Sequence, residues 1–235
     1  MLLTTSVLIS LGCSFSDLFD KKVKSVQWIS VVYLSLPLSS CHFLPLILPT
    51  IQKEFPNLTL RIEELQSQFL VKKLKEGELD MAILALPYDL KGLISLKFWE
   101  EDFYLVSHKK NENAGETEIK ANQLDQSKLM LLDDGHCLKD HILDACNIAN
   151  ASKHSLKASS LLTLIQLVKG QMGSTLVPQM ALKELVGSRK ELSISHLNEP
   201  GPHREIALIV RENYAGIENA MLLLEFFKRS LKKNS

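Results

Sequence analysis

From residue 28 onward the chain alternates runs of strand period with runs of helical period, and this alternation restricts its fold more than any other feature. A β-rich run at 28–36 is followed by residues 43–55, whose apolar side chains recur at helical spacing. Pro45 fits the first turn of that helix, where its missing N–H would be unpaired anyway, and Pro49 predicts a kink. Residues 58–63 alternate apolar and polar, the period of a half-buried strand. Ser67 is placed to cap a helix through Glu76, Gly77 to stop it, and residues 79–85 are apolar enough for a strand covered on both faces. Strand, helix, strand, helix, strand in succession predicts a mainly parallel sheet with helices on its faces.

A second set surrounds a polar excursion at 109–120. Its strands are predicted at 103–108, 128–132, 156–158 and 174–177, and its helices at 138–149 and 161–170. The chain then returns through a strand at 205–211 to an amphipathic helix at 217–232. This order predicts an α/β protein of two small lobes joined by two crossing strands, with a ligand cleft between them. It divides the chain into an atypical N-terminal segment (residues 1–28), a first lobe of residues 29–100 plus 204–235, and a second lobe of residues 101–203.

Residues 1–16 are uncharged and apolar-rich, but no Lys or Arg precedes them as in a secretory signal. The uncharged stretch 25–52 exceeds the ~20 residues that cross a bilayer. It is interrupted by Pro37, Pro45, Pro49, Ser39, Ser40 and His42, so strand, turn and helix explain it better than a membrane span. Lys+Arg 27 against Asp+Glu 27 leaves a formal charge of zero, whereas a domain that grips nucleic acid through phosphates carries a basic excess. The four cysteines, at 13, 41, 137 and 146, are too few for a disulfide scaffold and have no zinc spacing. Cys41 and His42 are two potential ligands, too few to make a metal site. No metal or cofactor is expected, and the cysteine usage points to a cytoplasmic setting in which a special thiol does redox chemistry.

The sharpest local feature is Leu131-Leu-Asp-Asp-Gly-His-Cys-Leu-Lys-Asp140. Gly135 permits a tight turn that leaves Cys137 at or next to the start of the following helix, where free N–H groups and the helix dipole favour a thiolate. His136 and Lys139 add positive charge, and Asp140 is spaced to accept from a backbone N–H as in a capping box. Cysteine is equally common in cores, so spacing alone leaves Cys137 open between a reactive thiol and a buried apolar residue. Cys146 follows nine residues later, on a stripe with Leu138, Ile142, Ala145 and Ala149. On one continuous helix the two cysteines would be ~13 Å apart. A disulfide needs Cα atoms roughly 4.4–6.8 Å apart, so a bond between them requires the segment to unwind.

Four segments, in order and spacing, resemble the effector domain of LysR-type transcriptional regulators over residues 44–228. They are Leu46-Ile-Leu-Pro-Thr-Ile-Gln-Lys-Glu-Phe-Pro56, Glu64-Leu-Gln-Ser67 leading into Leu74 and Gly77, Leu79-Asp-Met-Ala-Ile83, and Gly173-Ser-Thr-Leu-Val-Pro178. Leu132-Asp-Asp-Gly-His-Cys-Leu-Lys-Asp140, with Cys146 nine residues after Cys137, resembles the peroxide-sensing OxyR group of that family. The resemblance implies a two-lobed, periplasmic-binding-protein-like effector domain with hydrogen peroxide as effector. It makes Cys137 the peroxidatic residue, oxidised to a sulfenic acid, and Cys146 the resolving residue that closes an intramolecular disulfide. It also carries over His136 and Asp140 as members of the thiol pocket, Lys139 where Arg is usual, and Ser67 as a hydroxyl facing the cleft. Leu36-Pro37-Leu38 stands where the family has Ile-Pro-Thr, which removes a cleft hydroxyl, and Cys41-His42 replaces Pro-Tyr.

The family further implies a homodimer or homotetramer, RNA polymerase as a partner, and DNA contact through a winged helix-turn-helix with no counterpart in this sequence. The leading expectation is therefore a peroxide-sensing regulatory domain in a truncated form unable to bind DNA alone. A small-molecule-binding effector domain with bystander cysteines is the second expectation. A thiol peroxidase is the third, disfavoured because turnover needs a reductant partner and no thioredoxin-like CxxC is present.

Overall fold

The computed structural model describes residues 31–36, 43–56, 58–111, 115–149, 156–187 and 189–234. The segment 1–28, together with Cys13, Pro37, Leu38, Cys41 and His42, lies outside the described residues.

The first sheet contains β1 (Val31–Leu36), β2 (Thr59–Glu64), β3 (Met81–Leu86), β4 (Leu93–Glu101) and β11 (Arg204–Arg211), in the order β2-β1-β3-β11-β4. β1 pairs in parallel with β2 and β3, while β11 is antiparallel to both β3 and β4. The sheet is thus mixed rather than mainly parallel. The helices α1 (Leu44–Glu54) and α2 (Ser67–Glu76) provide the crossovers that parallel neighbours need, but β11 arrives from the second lobe and inserts between β3 and β4 in the opposite direction. The described residues of the stretch 25–52 form β1 and, from Phe43 as its N-cap, α1, which runs through Pro49 to Glu54. No helix among the described residues is long and apolar enough to cross a membrane.

Period-2 alternation decides what each face of this sheet covers. Met81, Ile83 and Ala85 pack with Ile206 and Leu208 under α1 and the closing helix α6 (Ile217–Asn234), whereas Ala82 and Leu84 pack with Ala207 and Ile209 under α2. Edge-to-face contacts of Phe43 with Phe227 (5.1 Å) and Phe55 with Phe226 (5.5 Å) join α1 to α6. β2 departs from the expected half-buried pattern: Leu60 is partly buried but Ile62 is 37% exposed, because β2 is the edge strand.

The second sheet has the order β6-β10-β5-β9, from β5 (Phe103–His108), β6 (Glu118–Ile119), β9 (Thr175–Pro178) and β10 (Leu192–Leu197). A separate pair, β7 (Leu131–Leu132) with β8 (Lys157–Ala158), runs parallel. Helices α3 (Cys137–Ala145), α4 (Leu161–Lys169) and α5 (Gln179–Leu185) complete this lobe. The chain passes between the two sheets at Asp102 and at residues 198–203, which gives the two-lobed α/β architecture.

Candidate functional site

α3 begins at Cys137, with His136 as N-cap in an extended conformation (φ −93°, ψ 115°). It ends earlier than the apolar stripe suggests, at Ala145 rather than residue 149, with Cys146 at the C-cap. Asn147 takes a left-handed conformation (φ 52°), Ile148 N–H donates to Leu143 O (2.8 Å) and Asn147 N–H to Asp144 O (3.0 Å). These are the two bonds of a Schellman stop, and Asn tolerates the left-handed position better than most residues. Asp140 is exposed, and among the described contacts its carboxylate makes no capping bond.

Gly135 has φ 93°, and a Cβ built there would lie 3.0 Å from Gln66 Oε1. The turn before α3 therefore requires glycine both for its left-handed backbone and for its approach to the start of α2. Gly135→Ala should cost about 1–2 kcal/mol, read from urea unfolding midpoints, because the L side chain is strained at this φ.

Gln66 is the N-cap of α2 and Ser67 is its first helical residue, so Ser67 does not serve as the cap. Its side chain turns into the protein instead, 2% exposed, and Oγ has no hydrogen-bond partner among the described residues. His141 Nδ1 and Arg204 Nη1 share that condition. Buried polar atoms are normally paired, so these exceptions on α2, on α3 and at the start of β11 are candidate contacts for a small polar ligand, and Arg189 Nη1 is a fourth atom in that condition.

The two cysteines lie in different apolar cores. Cys137 is 4% exposed and packs with the first-lobe cluster of Phe43, Ile47 and Leu208, although it is carried by a second-lobe helix. Cys146 is 6% exposed within the second-lobe core, beside Leu138 and Ile142. Burial, with a smaller push from the charge of Glu199, drives the Cys146 thiol up to about 12. Both cysteines are free thiols.

The neighbouring charges are arranged differently from the sequence expectation. Lys139 pairs with Asp134, which also accepts from Lys157 Nζ at 3.0 Å, so the lysine's charge is committed to a carboxylate. Those two lysines, Lys139 first, pull Asp134 down to about 2. His136 is buried at the turn. Sequence reasoning missed Tyr88, which faces Cys137 from the first lobe: desolvation raises its phenol, and charge on Cys137, Asp140 and Asp89 raises it further.

It also missed His141 and Arg204. His141 Nε2 lies 3.0 Å from the Pro87 carbonyl, and burial pushes its imidazole below the ordinary range, with Arg204 adding to that push. Arg204 and Glu101 form a fully buried ion pair beside the crossing at Asp102, with Nε donating to Glu101 Oε1 at 2.7 Å, and Glu101 Oε2 accepts from Met180 N–H at 2.9 Å. The described residues hold no cluster of three or more His, Cys, Asp or Glu side chains suited to a metal.

Comparison with known proteins gives these features a context. The LysR substrate binding domain matches residues 32–232. The HTH-type transcriptional regulator EstR of Acinetobacter baylyi is 35% identical over 196 residues, covering 83% of this chain and 64% of that protein. A probable hydrogen peroxide-inducible genes activator of Mycobacterium avium is 38% identical over 174 residues, 73% of this chain and 56% of the relative. The chain thus spans less than two thirds of the length of these relatives. Among solved structures, a hydrogen-peroxide-bound mutant of OxyR from Corynebacterium glutamicum superposes with a TM-score of 0.82 at 29% identity, over 93% of this chain and 70% of that one.

Proposed function

Because this chain belongs to the LysR substrate-binding-domain family, we propose that it is the peroxide-sensing regulatory domain of a LysR-type transcriptional regulator, acting as a regulator and not as an enzyme. The observation that carries the reading is the position of Cys137. It stands at the first residue of α3, next to unpaired helix N–H groups, and it is seated in the core of the lobe opposite to the one that holds Cys146. Relatives named for hydrogen peroxide support the effector.

The chemistry has two balanced steps. Cys137 sulfur attacks one oxygen of hydrogen peroxide, the O–O bond breaks, and the other oxygen leaves as water with the thiol proton; Cys137 becomes a sulfenic acid. Cys146 sulfur then attacks that sulfur, the S–O bond breaks, and a second water leaves as the disulfide forms. Ser67 Oγ–H and Arg204 Nη1–H are buried and without a partner among the described residues, and are the donors assigned to the departing oxygen. While buried, Cys146 is protonated and a poor nucleophile; leaving its core returns it to the ordinary thiol range and activates it. Reaction and unfolding of the segment are coupled in this way.

Cys146→Ser should retain a Cys137 sulfenic acid after peroxide, captured as a dimedone adduct, and Cys137→Ser should give no adduct. An adduct confined to another residue would contradict the assignment. A second reading, a small-molecule effector domain, is favoured by the unpartnered buried polar atoms Ser67 Oγ, His141 Nδ1 and Arg204 Nη1. It predicts ligand-induced stabilisation that Cys137→Ser leaves intact. DNA binding, assembly as a homodimer or homotetramer and contact with RNA polymerase belong to the proposed whole regulator.

A further inference from the structure

We infer that His141 is a positioning residue that latches α3 to the first lobe and so sets how readily the Cys137–Cys146 pair passes from thiols to disulfide; this rests on the peroxide-sensing reading. His141 is one helical turn after Cys137, so the two side chains leave the same face of α3. Both reach the first lobe: the thiol enters the cluster of Phe43 and Ile47, and the imidazole Nε2 meets the carbonyl of Pro87 at 3.0 Å. A carbonyl only accepts, so Nε2 carries the proton and donates, and Nδ1 is left as a buried lone pair. At 2% exposure, neither the ring nor its bond exchanges readily with water. Pro87 precedes Tyr88, which packs against the cluster that holds Cys137. One hydrogen bond therefore ties the helix that carries the reactive sulfur to a first-lobe segment that packs against the same cluster.

Two consequences of opposite sign follow. With the latch in place, Cys137 is held at the pocket, which favours attack on peroxide. The latch also resists the unwinding of α3 that must precede closure, when the sulfenic acid at Cys137 meets the thiol of Cys146, the S–O bond breaks, the S–S bond forms and water leaves. Removing the latch should slow the first step and speed the second.

The test compares His141→Leu, His141→Asn and His141→Gln in the full chain. Sulfenic acid formation is timed by dimedone quench in a Cys146→Ser background, and disulfide closure by acid quench and mass spectrometry with Cys146 present. A hydrogen bond of this kind is worth a factor of about five to ten. His141→Leu should slow sulfenic acid formation and accelerate closure, each by about that factor. His141→Gln places an amide N–H where Nε2 stands and should restore both rates; His141→Asn, too short to reach Pro87, should behave like the leucine variant and carries the test if that variant does not fold. Wild-type rates for both steps in the leucine and asparagine variants, or no rescue by glutamine, would overturn the latch alone. Absence of a 137–146 bond in oxidised wild-type protein would overturn the sensing reading beneath it.

Discussion

Oxidation should open α3: amide exchange over residues 138–146 is expected to accelerate by about a hundredfold, equivalent to losing about 3 kcal/mol of local protection. The expectation follows from distance and packing together. From the first helical position to the C-cap the rise is ~13 Å, about twice what a disulfide spans. The two sulfurs also occupy cores of different lobes, so at least one must leave its cluster for a bond to form. Opening the helix releases Leu138 and Ile142 from the second-lobe core and His141 from Pro87, which converts a local oxidation into a change between the lobes. Exchange that is unchanged over this segment after the disulfide has formed would rule out the unwinding.

A second large effect is expected at the crossing between the lobes. Glu101→Ala leaves the Arg204 guanidinium buried without its counter-ion and Met180 N–H without its acceptor, so it should cost about 3–5 kcal/mol in urea unfolding. The paired replacement Glu101→Leu with Arg204→Met should recover much of that loss, because removing both charges also removes their desolvation cost. A cost below about 1 kcal/mol for the single variant would mean that the pair is solvated and does not anchor the crossing.

The contrast between those two sites explains how much was legible in the sequence. Local rules reached most of the strands and helices in their order, the stop at Gly77, which has φ 82°, and the placement of Cys137 at a helix start, since each depends on residues within one or two turns. The strands β4 and β10 were missed. Leu93–Glu101 mixes charged with apolar residues, and Leu192–Leu197 carries serines and a histidine, so neither has an apolar run to announce it; tertiary pairing with β11 and β5 decides them. The end of α3 was misplaced because apolar spacing continues past Asn147, and the stop signal was the asparagine rather than a loss of period.

The site was legible only along one segment. Cys137, His136 and Gly135 are neighbours in sequence, but Pro87 is 54 residues from His141 and Glu101 is 103 residues from Arg204. Periodicity and motif spacing carry no information on such pairs. Lys139 illustrates the opposite error: adjacency to the cysteine suggested a charge for the thiol, while the exposed carboxylate of Asp134 in the preceding turn takes that charge instead.

The central claim is that Cys137 and Cys146 form one peroxide-driven pair. Its most direct test is a stoichiometric pulse of hydrogen peroxide on the reduced protein, followed by alkylation of the remaining thiols, proteolysis without reductant and mass spectrometry of the cysteine peptides. The predicted result is a cross-linked peptide pair joining Cys137 to Cys146, with Cys13 and Cys41 alkylated. Recovery of Cys137 and Cys146 as alkylated thiols under that pulse would contradict the account.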